Sequence, residues 1–330
     1  MTAGPWRRRT SWSAGAAAVA LVVAGPLLVT DSAPGAAGAS LAAVSASPLP
    51  SPLPSAAPGL ALFPPSSPPS PPSPPSPPPS PPQARGLAQA AVDAAQSEAA
   101  GSTELAVAVL DRTTGELAVN GRADEPYYTA SLSKLVVIVD MLDRRRLDGL
   151  TVTDADLALV RRALGPSDDS AMSVLWERFD GAGAPERVSR RLGLKATTAP
   201  RRTGQWGEVE VTAADYVTLW RYVLDEMSAA DRDLMLADMD AAPPVAKDGF
   251  DQAYGLLAPA VRGSDGPGAV AKQGWMCCFS GRYYLHSTGA VGADRRFVVA
   301  LLTRVPRTSG WPAARSELDG ITTRAVAALG

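Results

Sequence analysis

The chain has 330 residues and 31 prolines, 18 of them between Pro48 and Pro82, three before that stretch and ten over the 247 residues from Ala84 to Gly330. Length alone would suggest two domains at about 150 residues each, but the proline-dense first quarter cannot build a core, which leaves one module large enough to bury one. The net charge is −2, without a basic stripe, and the one histidine (His286) and adjacent Cys277 and Cys278 lack metal-ligand spacing, so nucleic acid, metal and cofactor are not expected.

Residues 1–39 read as a secretory leader: Arg7, Arg8 and Arg9 precede an apolar run from Ala14 to Val29, and Ala37-Gly38-Ala39 fits the small-x-small cleavage pattern. The run holds Gly25 and Pro26 and is short for a span, so it is either cleaved or kept as an uncleaved anchor. Both outcomes make the module extracytoplasmic, secreted or in the cell envelope, with membrane contact only through an uncleaved leader. Neither cysteine lies near the leader, so a lipid anchor is not supported. Residues 40–83 form a Pro/Ser-rich disordered linker whose repeated Ser-Pro-Pro units favour extended polyproline II. At about 3.1 Å per residue the repeats could reach roughly 100 Å, a spacing suited to work within a cell wall. A low-complexity tract with no partner fits the same composition.

The module, 84–330, opens with an Ala-rich helix over about 86–100. The alternation from Glu104 to Asp111, a turn at Thr113–Gly115 and a short strand to Val119 read as a hairpin. Helical patterns run from Ser131 to Met239, strand-like runs return near Ala269–Trp275, Arg282–Val291 and Arg296–Val305, and a last helix covers about 313–329. This order predicts an α+β fold in three layers. Strands from both ends of the module join in a five-stranded antiparallel sheet flanked by helices, with an all-helical subdomain.

From Leu132 to Leu142 only Ser133, Lys134 and Asp140 are polar, so this helix belongs in the core. Ser131 at its start and Lys134 three residues on share a face. Burial lowers a lysine's pKa and makes it a base, which a serine hydroxyl needs to act as a nucleophile. The module has 14 serines and four lysines, and random placement gives roughly 0.2 Ser-x-x-Lys pairs. The 27 arginines show that generic positive charge is supplied otherwise. Taken alone, Ser131 as a helix cap and Lys134 reaching to water explain the pair equally well. Ser167-Asp168-Asp169 before a helical pattern also reads as a cap, and Lys272-Gln273-Gly274 as a strand end.

In this chain order the three segments resemble Ser-x-x-Lys, Ser-Asp-Asn and Lys-Thr-Gly of the serine β-lactamase and penicillin-binding protein superfamily, in particular its class A-like branch. The resemblance covers about 84–330 and implies that fold. It implies Ser131 as acylated nucleophile, Lys134 as base or proton relay, and Ser167 as proton donor to the leaving group. Asp169 would contact the substrate amide, and Lys272, with Gln273 and Gly274, its carboxylate. The amides of Ser131 and Trp275 would form the oxyanion hole.

Four departures qualify this. Asp169 replaces an amide and could hold Lys134 charged. Gln273 replaces a hydroxyl residue. The interval from Ser131 to Ser167 is shorter than usual. Residues 197–210 lack the Glu-x-x-x-Asn pattern of the deacylation base, so Glu208 and Glu210 are candidates without a good match and efficient β-lactam hydrolysis is doubtful. His286 reads as a packed histidine, and no Gly-x-Ser-x-Gly elbow accompanies it. Cys277 and Cys278 are either joined in an eight-membered ring at the edge of the cleft or are free or intermolecular thiols. Arg144, Arg145 and Arg146 read as a solvated helix end.

The expectation is an exported serine hydrolase or acyltransferase, monomeric. Its substrate would be a small molecule or peptide: a β-lactam, a cell-wall (peptidoglycan) peptide or a related amide or ester. The alternative is an inactive relative that binds wall fragments or a protein partner through the same cleft.

Overall fold

Leu105–Leu110 and Phe297–Leu302 are unbroken apolar runs, the pattern of strands covered on both faces. The structure, a computed structural model, describes residues 86–262 and 268–330, all within the compact unit Ser76–Gly330. The leader and the proline-rich linker lie outside the described residues.

The elements in chain order are α1 (Leu87–Glu98), β1 (Glu104–Asp111), β2 (Glu116–Val119), β3 (Tyr127–Tyr128), α2 (Ser133–Leu147), α3 (Asp154–Leu164), α4 (Asp169–Arg178), α5 (Ala184–Leu192), β4 (Glu210–Val211), α6 (Ala213–Asp225), α7 (Ala229–Asp240), α8 (Pro259–Arg262), β5 (Val270–Cys277), β6 (Arg282–Val291), β7 (Phe297–Pro306) and α9 (Gly310–Ala327). Five strands form an antiparallel sheet in the order β2-β1-β7-β6-β5. The two apolar runs pair at its centre, with Leu105 opposite Thr303 and Leu110 opposite Val298. Strand alternation sends Ala106, Ala108, Val298, Ala300 and Leu302 into one core with α2 and α6, and Leu105, Val107, Val109, Val299 and Leu301 into another with α1 and α9. Each leucine so buried contributes about 1.5–3 kcal/mol.

The α2 helix is buried from Ser133 to Asp143. Asp140, its one acidic group within the apolar run, accepts from the Arg187 guanidinium of α5 at 2.8–3.1 Å, which offsets the cost of burying a carboxylate. The arginines at the end of α2 do more than meet solvent. Arg144 donates to the Phe179 carbonyl at 2.8 Å and Arg145 pairs with Asp231 of α7. One feature is absent from the sequence reading. β3 and β4 pair, Tyr127 with Val211 and Tyr128 with Glu210, inside and just before the stretch read as helical. Two-residue strands are too short to carry a periodic signal.

The free edge of β5 lies against the turn that leads into α2. A Cβ at Gly274 would stand 2.7 Å from the Thr129 carbonyl and 3.1 Å from the Leu132 side chain, so this approach requires glycine. That contact sets the floor of a cleft between sheet and helical subdomain.

Candidate active site

Ser131 sits in the 3-10 turn Ala130–Leu132 that opens onto α2, and Lys134 lies in the first turn of the helix. The Lys134 Nζ is 2.9 Å from the Ser131 hydroxyl, 3.0 Å from the Ser167 hydroxyl, 2.7 Å from the Ser167 carbonyl and 2.8 Å from a carboxylate oxygen of Asp169. From the edge strand, the Lys272 Nζ reaches the Ser167 hydroxyl at 2.9 Å and its neighbouring Gln273 carbonyl at 3.2 Å. Two lysines therefore meet at the Ser167 hydroxyl, and Lys134 links it to the Ser131 hydroxyl, all four residues being buried.

Local structure explains how the Ser-Asp-Asp segment divides its labour. Asp168 is the N-cap of α4, accepting from the amides of Ser170 and Ala171 and from the Arg162 guanidinium. With capping assigned to Asp168, Ser167 is left to meet Lys134 and Lys272, and Asp169 to line the cleft. Ala130 and Ser167 hold positive φ angles of 47° and 55°, a conformation that costs a non-glycine residue on the order of 1–3 kcal/mol. At Ser167 the Lys134 bond to its carbonyl and the two lysines at its hydroxyl hold that conformation in place.

Burial pushes the Lys134 ammonium below an ordinary lysine's pKa, against the Asp169 carboxylate, which raises it. Lys272 is pushed well down by burial and by the charge of Lys134. An ammonium has three donors and no acceptor. A neutral Lys134 amine in this position would present a lone pair toward the Ser131 hydroxyl and keep its two protons on Asp169 and the Ser167 carbonyl.

The cleft beside Ser131 has a volume of about 470 Å³ and is lined by Asp169, Ser173, Trp206, Asp248, Trp275 and Met276, among others. Gln273 is a correction to the sequence reading. It is fully buried and lies outside the cleft, its side-chain amide donating to the Tyr254 carbonyl. Alternation along β5 puts Lys272 and Gly274 toward α2 and Gln273 toward the strap Tyr254–Leu257 behind the strand. Gly274 serves through close packing rather than through a side chain. Trp275 lines the cleft, stacks on Phe250 at 4.7 Å and donates its indole N–H to Asp248 at 3.0 Å.

Glu208 pairs with Arg202, and Glu208 and Glu210 line a separate recess with Tyr128 and Phe279. His286 is a packed histidine. Thr303 donates its amide to Nδ1 at 3.1 Å, so Nε2 carries the proton and donates to the Tyr128 carbonyl at 2.8 Å. Burial holds its pKa down at about 4, which keeps it neutral at pH 7. Cys277 and Cys278 are joined to each other at the exposed end of β5, next to Met276 of the cleft.

No known family's sequence model matches the chain. Curated relatives from Mycobacterium tuberculosis and Mycobacterium bovis, both named "Putative lipoprotein LppW", are 33% identical over 218 residues, a match covering 64% of this chain and 66% of theirs, just under two thirds. Among solved structures, a β-lactamase from Chitinophaga pinensis superposes with a TM-score of 0.56 at 14% identity, covering 74% of this chain and 98% of that one. A class A β-lactamase from Mycobacterium abscessus gives 0.52 at 18%, covering 71% and 97%. PBP-A, solved as an acyl-enzyme complex with penicillin G, gives 0.56 at 17%, covering 73% and 94%. The chain has the serine β-lactamase/transpeptidase-like fold. Within that fold, sequence reasoning missed Trp206, Ser173 and Asp248 as cleft residues. Trp206 carried a signal, a tryptophan flanked by Gly204 and Gly207 in a polar stretch, whereas Asp248 carried none.

Proposed function

We propose that this chain is an exported serine hydrolase or acyltransferase that forms an acyl-enzyme at Ser131 with an amide or ester substrate. The observation that carries the reading is the contact of the Lys134 Nζ with both the Ser131 and Ser167 hydroxyls, at 2.9 and 3.0 Å. In the proposed reaction the Ser131 proton passes to the neutral Lys134 amine as Oγ bonds to the substrate carbonyl carbon. The bond to the leaving nitrogen or oxygen then breaks, and the proton travels through the Ser167 hydroxyl to the departing group. The amides of Ser131 and Trp275 would hold the oxyanion. Water or a second nucleophile then takes the acyl group and returns a proton to Oγ.

Deacylation by water is the slow half in this reading. The carboxylates lining the cleft are both engaged, Asp169 with Lys134 and Asp248 with Trp275, while Glu208 and Glu210 line another recess. A cell-envelope location is supported by the leader and by the lipoprotein name of the mycobacterial relatives; no helix among the described residues is long and apolar enough to cross a membrane. The engaged carboxylates also favour a second reading, a binding protein that uses the cleft without turnover.

The test is the para-nitrophenolate burst on mixing with a neutral para-nitrophenyl ester. A burst of one equivalent in the wild type and none in Ser131→Ala is expected. Equal slow release from both proteins would sink the enzyme and leave the binding protein.

A further inference from the structure

The cleft is a site because Ser131 lies in it; the groups at its mouth bear on what it accepts. Asp169, with a side chain 56% exposed, and Asp248, also exposed, line it together with the indoles of Trp206 and Trp275. Past Trp206 and Gly204 the cleft continues into a recess of about 330 Å³ lined by Trp176, Glu177 and Asp180, of which Asp180 is paired with Arg187 at 2.6 Å. Among the described residues lining these two recesses there is no lysine or arginine.

The two lysines behind the cleft are already committed. Lys134 and Lys272 are at most 1% exposed and hold Asp169 and Ser167. The sheet supplies no replacement at this register. Gln273 is turned behind β5, and its cross-strand partner Ser287 is buried with its hydroxyl accepting from the Leu256 amide at 2.9 Å. The charge of Asp248 acts on both lysines in the direction that favours protonation, in keeping with its place over the same cavity.

We propose that the cleft selects substrates carrying a positive charge, an ammonium seated against Asp248 and Asp169 between the two indoles, and disfavours those with a carboxylate near the scissile bond. Carboxylates and aromatic faces both attract a cation, and neither welcomes an anion. The inference rests on the acyl-enzyme reading of the same cleft.

The test uses para-nitrophenyl esters of para-(aminomethyl)benzoic, para-methylbenzoic and terephthalic acid, matched in shape and differing in charge. For the wild type, kcat/KM above background should favour the cationic over the neutral ester by about tenfold, with the anionic ester slowest. The cationic-to-neutral ratio should fall toward one in Asp248→Asn and in high salt, and Asp248→Lys should favour the anionic ester. A wild type that takes the anionic ester as fast as the cationic one overturns the proposal. If no ester acylates Ser131, the acyl-enzyme reading fails by itself. Charge selection is then read from tryptophan quenching of Ser131→Ala by the corresponding primary amides. Tighter binding of the amine supports the proposal, and equal or tighter binding of the acid ends it.

Discussion

On one side of the cleft, α2, the turn before α4 and the edge strand β5 bring Ser131, Lys134, Ser167 and Lys272 into contacts of 2.9–3.0 Å. On the other side, residues 197–211 bring Trp206 to the cleft but commit the Glu208 carboxylate to Arg202 in a separate recess. The first side rests on a buried helix, a capped helix end and a strand that packs within reach only because residue 274 is glycine. The second is a loop tied down by a two-residue strand pair and an ion pair. In the proposed reaction, rigid elements supply the groups that would form an acyl-enzyme, and the loop offers the cleft none of its acids to break one.

Lys134→Ala should have the largest effect on this contrast, slowing acylation by about 10²–10⁴-fold in the nitrophenolate burst; a loss under tenfold would mean that Ser131 is activated by another group. Asp169→Asn works in the opposite direction. It removes the carboxylate that raises the Lys134 pKa, so the pKa falls further and more of the lysine is free amine at neutral pH. The rise of acylation with pH that a Lys134 base sets should move to lower pH, with a severalfold gain at pH 7. A shift to higher pH would contradict the assignment of Lys134 as base.

Gln273→Leu should cost about 1–3 kcal/mol in urea unfolding, because the Tyr254 carbonyl loses its donor, and leave KM for a neutral ester unchanged. A raised KM at unaltered stability would return Gln273 to the cleft. Smallest of all, Glu208→Gln should leave the decay of the acyl-enzyme within about twofold and cost at most ~1 kcal/mol for an ion pair with a largely exposed arginine. A far slower decay would identify it as the missing base.

The architecture was legible because its strands and end helices are long enough to show their periods, and Ser131 and Lys134 because their helix is apolar nearly all round. The division between Asp168 as cap and Ser167 and Asp169 as site residues was not legible from the residues themselves, since serine and aspartate both cap helices, and only the resemblance pointed to it. The side of β5 that Gln273 faces depends on which way an edge strand presents its pleat, and the strap that covers it is not contiguous with it in the sequence. Asp248 was invisible for a similar reason. It reaches the cleft through the Trp275 indole and a loop that has no period to read.

In the proposed reaction the acyl group enters at Ser131 easily and leaves slowly. The most direct measurement is the intact mass of residues 84–330 over several hours after a brief exposure to a neutral para-nitrophenyl ester, beside Ser131→Ala. The predicted result is one acyl group on the wild type that persists for many minutes after excess ester is removed, and no such species in the variant. An adduct present in both proteins, or none in either, would contradict the claim that Ser131 is the acylated residue.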